Sequence, residues 1–180
     1  MQLLAISGSL RRGSYNSALL RAAGAALPSW IEYRSLQGLG RLPAYNEDLE
    51  PAPLTVVVFR RALAQADAVL FATPEYNSSV PGVLKNALDW ASRPFETNPL
   101  REKPVAVIGA SQGAFGAIWA QAELRKVLMT IGARVDEREL VVPHVQHAFT
   151  AEGTLRDPGV DAALREIIKQ LLETTRHRAA

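Results

Sequence analysis

Residues 3–20, LLAISGSLRRGSYNSALL, change from an apolar run to a polar loop and back to an apolar pattern. The apolar run at 3–6 predicts a buried strand, and the spacing of apolar residues over 16–27 predicts a helix. Between the two lie three serines, two glycines and two arginines. Small hydrogen-bonding residues and fixed positive charge, placed where a strand leads into a helix, are typical of a loop that receives an anion.

The rest of the chain repeats the alternation of short apolar strands with amphipathic helices. Further strands are predicted at 67–73, 103–110 and 133–142, and an alternating edge strand at 30–35. This order predicts one domain, residues 1–180, built as a doubly wound five-stranded parallel sheet with helices on both faces. The first, third and fourth strands are expected to be central. Helices are expected to open at Pro81 and, after an Asp157 N-cap, at Pro158.

Composition excludes several classes of function. The net charge of +2 is too small to indicate nucleic acid or a membrane surface as a partner. Cysteine is absent, which removes thiolate catalysis and thiolate metal sites. No apolar run is long enough to span a bilayer, and no signal-peptide pattern opens the chain. We therefore expect a cytoplasmic protein that binds neither nucleic acid nor a membrane.

The loop after the first strand has the residues that a phosphate monoester needs. In a doubly wound sheet the loop lies at the carboxyl edge, where a helix N-terminus presents unpaired N–H groups to an anion. A turn with serine caps would explain only one or two of the hydroxyls. The loop fits neither Walker A nor G-x-G-x-x-G, which favours a mononucleotide. The predicted phosphate ligands are Ser9, Ser14, Asn16, Ser17 and either Arg11 or Arg12.

Two further loops follow the other central strands. PEYNSSVPG, residues 74–82, offers an aromatic ring and an amide, and SQGAFG, residues 111–116, offers glycines, a serine and a glutamine. Each alone is an ordinary polar loop. Because the carboxyl ends of parallel strands share one edge, the three loops together predict a site for a phosphorylated, flat polar ring.

The motifs SGSLRRGSYN, TPEYNSSVPGVLKNALDW and GASQGAFG resemble the NAD(P)H-dependent FMN reductases, a flavodoxin-like family that includes quinone, azo-dye and chromate reductases. The resemblance runs over about residues 1–142. It implies that FMN phosphate is held by Ser9, Arg11, Ser14, Asn16 and Ser17. It further implies that the isoalloxazine ring is lined by Pro74, Glu75, Tyr76 and Asn77, with Ser111, Gln112 and Gly113 at its other edge. This chain has a second arginine, Arg12, next to the arginine that the family has in this loop. Which of Arg11 and Arg12 binds the phosphate therefore stays open.

The resemblance implies an FMN enzyme that takes electrons from NAD(P)H and passes them to a small acceptor such as a quinone. It also implies a homodimer or homotetramer. No side chain is assigned a catalytic role, because hydride transfer to flavin needs no general base, and Glu75 is the only acid in the predicted site. His144 and His147 have H-x-x-H spacing, but no metal site is predicted. The alternatives are a flavodoxin-type electron carrier and a non-catalytic sensor of a phosphorylated ligand.

Overall fold

The computed structural model describes residues 1–49 and 51–179, and side chains through residue 176. Its strands are β1 (Gln2–Ser7), β2 (Glu32–Ser35), β3 (Ala68–Thr73), β4 (Pro104–Ala110), β5 (Arg134–Val135) and β6 (Val141–Val142). Its α-helices are α1 (Tyr15–Ala25), α2 (Leu54–Gln65), α3 (Gly82–Ala91), α4 (Ile118–Thr130) and α5 (Pro158–Ala179). Single 3₁₀ turns lie at Leu39–Arg41 and Val145–His147.

All pairings in the sheet are parallel, in the order β2-β1-β3-β4-β5, with β6 also paired to β4. This is the flavodoxin-like strand order, so the predicted doubly wound fold is confirmed. The central strands are β1, β3 and β4, as predicted. Every residue of β3 and β4 is buried, because apolar side chains cover the sheet on both sides. One core contains residues of α1 and α5, and the other contains residues of α2, α3 and α4.

The prediction of one continuous strand at 133–142 is wrong. β5 pairs with the start of β4, β6 pairs with its end, and residues 136–140 between them belong to neither strand, although the Asp136 backbone N–H still donates to the Val105 carbonyl at 2.8 Å. The strand stops because the Asp136 carboxylate accepts the Arg138 backbone N–H at 3.0 Å, which forms a turn. The carbonyl of Leu140 then accepts from the buried Gln121 side chain at 3.0 Å, where a strand would bond to its neighbour.

The predicted helix starts agree with the structure to within one residue. Pro81 occupies the N-cap position of α3, which begins at Gly82. Asp157 caps α5, since its carboxylate accepts the backbone N–H groups of Gly159 at 2.7 Å and Val160 at 3.3 Å. No helix within 1–49 and 51–179 is long and apolar enough to cross a membrane.

Gly116 fixes how the loop after β4 packs against β6. Its φ is +54°, and a methyl group added there would lie 2.5 Å from Val141 Cγ1 and 2.7 Å from the backbone nitrogen of Val142. Only glycine allows this approach without moving backbone. The loop is thereby held against the sheet at the edge where the predicted site lies.

Gly116→Ala should lower the free energy of unfolding by about 2–4 kcal/mol, because it combines a backbone clash with left-handed strain. Gly82→Ala is the matched control, since a methyl group there meets nothing within 4 Å and α3 begins at that residue. It should be neutral or stabilising by up to about 1 kcal/mol. Urea denaturation measures both; equal free energies for the two variants would contradict the packing described.

Candidate functional site

A cavity of about 150 Å³ opens at the carboxyl edge of the sheet, where the loops after β1, β3 and β4 meet. Its lining comprises Ser9, Arg11, Ser14, Tyr15, Asn16, Pro74, Glu75, Tyr76, Ala110, Ser111, Gln112 and Val145. The structure thus brings together most of the residues predicted from the sequence. Three predicted residues are not in this lining, namely Ser17, Asn77 and Gly113. We call this space the cofactor cavity.

The N-terminus of α1 supplies unsatisfied hydrogen-bond donors beside the cofactor cavity. Ser14 is its N-cap, and the Ser14 hydroxyl oxygen accepts the backbone N–H of Ser17 at 3.2 Å. The backbone N–H groups of Tyr15 and Asn16 have no partner among the described residues. Together with the helix dipole, these two groups favour an anion at this point.

Two serine hydroxyls of the same loop keep a proton to donate. Ser9 Oγ accepts the Arg11 backbone N–H at 3.4 Å, and Ser14 Oγ accepts from Ser17 as described above. A hydroxyl has one donor besides its acceptor lone pairs, so each serine retains an O–H for a ligand. Both residues line the cofactor cavity.

The Ser17 hydroxyl forms a hydrogen bond that stabilises the loop between β1 and α1. It donates to Ser7 Oγ at 3.1 Å, and Ser7 Oγ in turn accepts the backbone N–H of Ser9 at 3.2 Å. These bonds fix the turn between β1 and α1. Ser17 also lines a neighbouring cavity on the β2 side of the loop.

Asn16 is buried, and both ends of its side-chain amide bond to one residue of β4. Its Nδ2 donates to the carbonyl oxygen of Ala110 at 3.0 Å, and its Oδ1 accepts the backbone N–H of Ala110 at the same distance. The side chain therefore ties the first loop to the start of the third. One N–H of the amide remains for a ligand in the cofactor cavity.

The two arginines of the loop differ in position. Arg11 Nη2 donates to the carbonyl oxygen of Gly13 at 3.3 Å, and its guanidinium lies 5.8 Å from the centroid of the Tyr15 ring. Arg11 lines the cofactor cavity, whereas Arg12 lines only the cavity on the β2 side. The geometry favours Arg11 for an anion held at the start of α1.

The second loop is a tight turn fastened to α4. Tyr76 and Ser79 exchange backbone hydrogen bonds at 3.0 and 3.1 Å, and the two residues between them, Asn77 and Ser78, have positive φ. Asn77 is thus a turn residue, and its exposed side chain lies outside the cavity lining. Tyr76 stands beside the cavity with 49% of its surface exposed.

Glu75 has a structural bond that the sequence did not suggest. Its Oε2 accepts the backbone N–H of Ala120 at 3.1 Å, in the first turn of α4. The N-cap position of that helix is Ala117, which has no side-chain oxygen, so Glu75 supplies the cap from another loop. Glu123 on α4 reciprocates by accepting the Val80 backbone N–H at 3.3 Å.

The third loop is held from the far side by residues after β6. Ser111 Oγ accepts the Gly113 backbone N–H at 3.1 Å, and the Ser111 carbonyl accepts from Val145 at 3.1 Å. Sequence reasoning missed Tyr15, Ala110 and Val145 as lining residues. Tyr15 and Ala110 lie within the quoted motifs, but Val145 carries no signal in the sequence.

The donor set fits a phosphate on a flat ring. Two unpaired backbone N–H groups, two serine hydroxyls and one guanidinium belong to the loop and first turn of α1 that line the cavity, and Glu75 is the only carboxylate among the described lining residues. The described side chains contain no group of three His, Cys, Asp or Glu residues placed to hold a metal ion. The arrangement can therefore bind and orient a phosphorylated ring, with the aromatic Tyr76 beside it.

A family model described as NADPH-dependent FMN reductase matches residues 1–147. An NAD(P)H-dependent FMN reductase from Pseudomonas aeruginosa is 45% identical over 176 residues, which cover 96% of this chain and 92% of that protein. A 2-hydroxy-1,4-benzoquinone reductase from a Burkholderia species is 38% identical over 157 residues, covering 86% of this chain and 85% of that protein. A quinone reductase of Escherichia coli K12 is 39% identical over 138 residues, covering 75% of this chain and 73% of that protein.

Among solved structures, FerB, a flavoenzyme NAD(P)H:(acceptor) oxidoreductase from Paracoccus denitrificans, superposes with a TM-score of 0.86. It is 34% identical, and the match covers 98% of this chain and 97% of that one. The similarity therefore extends over the sheet, all three loops and the terminal helix.

Proposed function

Because the chain belongs to the NADPH-dependent FMN reductase family, we propose that its cofactor cavity holds the phosphate of FMN at the start of α1. The predicted family, the dependence on FMN and the use of NAD(P)H as co-substrate are confirmed by this membership. The protein is an oxidoreductase that passes electrons from NAD(P)H to a small acceptor such as a quinone. Relatives over most of the chain are named as reductases, which favours the enzyme over an electron carrier or a sensor.

The observation that carries the phosphate assignment is the pair of unpaired N–H groups on Tyr15 and Asn16. Ser9, Ser14 and Arg11 line the same cavity as Tyr15 and Asn16, and their hydroxyls and guanidinium complete the set of donors. Of the predicted ligands, Ser17 acts through Ser7 by fixing the loop, and its own contact with phosphate remains a prediction.

The ring is proposed to lie along the loops after β3 and β4, between Tyr76 and Gln112. FMN bound there would supply the redox chemistry, a ring able to take a hydride from the nicotinamide and to pass the two electrons on to the acceptor. The residues of the chain position that ring, leaving one of its faces open to both substrates. Glu75 accepts the Ala120 N–H and keeps α4 in place, so we assign it no proton transfer.

The purified protein should be yellow and should oxidise NADPH when benzoquinone is added.

Tyr76→Ala should lower kcat/KM for both NADPH and benzoquinone by about tenfold, because positioning of the ring is lost while the phosphate contacts remain. Trp30→Ala is the control, since Trp30 is similarly exposed but stacks on Arg176 at α5. A colourless protein, or a yellow one that consumes no NADPH with benzoquinone, would contradict the proposed function.

We also propose a homodimer or homotetramer that forms through an aromatic patch beside the site. The patch comprises Tyr76, Phe115 and Trp119, which are 49%, 60% and 47% exposed. The rings of Phe115 and Trp119 lie 4.8 Å apart, and the loop that carries Tyr76 bonds to the same helix, α4, through Glu75. An apolar surface of this kind is typical of an interface.

Light scattering at micromolar concentration should give the mass of two or four chains for the wild type. The double variant Phe115→Ser/Trp119→Ser should give a smaller mass, because it removes two rings of the patch. Trp30→Ser is the matched control and should not change the mass. A wild-type monomer would contradict the proposed assembly.

Residues 1–180 are proposed to form a single domain, since one sheet and its two cores include elements from β1 to α5. A cytoplasmic location is proposed as well, because that compartment supplies reduced nicotinamide nucleotides to the enzyme.

A further inference from the structure

A second cavity of about 540 Å³ lies on the other side of the loop between β1 and α1, which we call the phosphate loop, at the carboxyl ends of β1 and β2. We call it the β2 cavity. Ser9 and Arg11 line both this cavity and the cofactor cavity, so the two spaces share a wall. A ligand that reaches over the FMN ring can therefore extend across the phosphate loop into the second space.

The β2 cavity is strongly basic. Three arginines line it, Arg11, Arg12 and Arg21, and none of the described residues in its lining carries a carboxylate. Arg12 and Arg21 form no ion pair with any residue in 1–49 or 51–176. Unpaired guanidinium groups around one concave space, with serine hydroxyls beside them, indicate a ligand that carries more than one negative charge.

Arg21 lies on α1 and forms part of the wall of the β2 cavity. It lies one turn after Ser17 on α1, beside the half-buried Tyr33 of β2, whose hydroxyl donates to the Leu20 carbonyl at 2.6 Å. Burial raises the pKa of Tyr33, and the charge of Arg21 opposes that rise. The charge of Arg21 therefore acts on a residue of β2, and Arg21 lines the same cavity as Ser35 at the end of that strand.

The cavity also has an apolar part. Leu20, Leu36 and Leu39 contribute to its wall. Leu10 extends from the phosphate loop to the opposite side, where a methyl group added to Gly40 would lie 2.8 Å from its Cδ1. Apolar walls next to a basic cluster suit a purine nucleoside that carries phosphate.

We propose that the β2 cavity binds the adenosine end of NADPH, with Arg12 and Arg21 holding its 2′-phosphate. This inference rests on the proposed function, since it assumes that NADPH reaches the flavin in the adjoining cavity. In other α/β folds that bind dinucleotides, an acidic residue near the second strand bonds to the ribose 2′-hydroxyl of NAD, and an arginine accommodates the 2′-phosphate of NADP. Here the cavity residues at the end of β2 are Ser35 and Leu36, neither of them an acid, and the arginines Arg12 and Arg21 reach the cavity from the loop after β1 and from α1, so the cavity selects NADPH over NADH.

The direct test is the binding of adenosine 2′,5′-bisphosphate to the FMN-loaded protein, measured by calorimetry against 5′-AMP. The bisphosphate should bind about 100-fold more tightly than 5′-AMP, because the 2′-phosphate adds one charge-assisted contact to each of the two arginines. In Arg12→Ala and in Arg21→Ala, the ratio of the affinity for the bisphosphate to that for 5′-AMP should be about tenfold lower than in the wild type. Arg165→Ala removes the same charge from α5, outside both cavities, and should leave the preference unchanged.

A kinetic readout on the same proteins separates this site from the cofactor cavity. In Arg12→Ala and Arg21→Ala, the ratio of kcat/KM for NADPH to that for NADH should fall by about tenfold, while FMN affinity stays at the wild-type value. Equal binding of bisphosphate and 5′-AMP would overturn the inference. So would a fall in FMN affinity equal to the fall in bisphosphate affinity.

The two proposals fail in different ways. The binding measurement needs no turnover, so a protein that prefers the bisphosphate but oxidises neither nucleotide would support the β2 cavity and contradict the proposed function. A protein that oxidises both nucleotides at equal rates, with no preference for the bisphosphate, would support the function and overturn the inference.

Discussion

The Asn16 side chain makes two hydrogen bonds to Ala110, and the geometry of the site depends on them. They join the first turn of α1 to the carboxyl end of β4, which lies two strands away from β1 in the sheet. The unpaired N–H groups of α1 are thereby held at a fixed position relative to the third loop. Removing the amide would leave a buried N–H and a buried C=O without partners, at a cost of several kcal/mol.

The other loops are connected in the same way. Glu75 caps α4 from the loop after β3, Glu123 on α4 accepts from that loop, and the segment after β6 bonds to the loop after β4. Each loop is thus fixed by polar groups of another, which restricts their motion before any ligand binds. A site that is ordered in advance loses less entropy when it binds the cofactor.

Periodicity and composition were sufficient for the sheet, the two layers of helices and the position of the loops. Because β3 and β4 are buried on both sides, their sequences are near-continuous apolar runs, and such runs predict central strands of a parallel sheet. The division of 133–142 could not be predicted, because it depends on Asp136 bonding to Arg138 and on a side chain of α4. The bond from the Ser17 hydroxyl to the Ser7 hydroxyl and the cap that Glu75 forms on the Ala120 backbone N–H are likewise contacts between residues far apart in the sequence. Such contacts leave no pattern in the sequence.

The central claim is that the start of α1 binds the phosphate of FMN through Arg11 and unpaired backbone N–H groups. The most direct measurement compares FMN with riboflavin, which lacks the phosphate, by fluorescence titration of the apo-protein. The wild type should bind FMN at least about 100-fold more tightly than riboflavin, since several charge-assisted hydrogen bonds are involved. Arg11→Ala should weaken FMN by about 1.5–3 kcal/mol and leave riboflavin unchanged, while Arg12→Ala should change neither affinity. Equal affinity of the wild type for FMN and riboflavin would contradict the account.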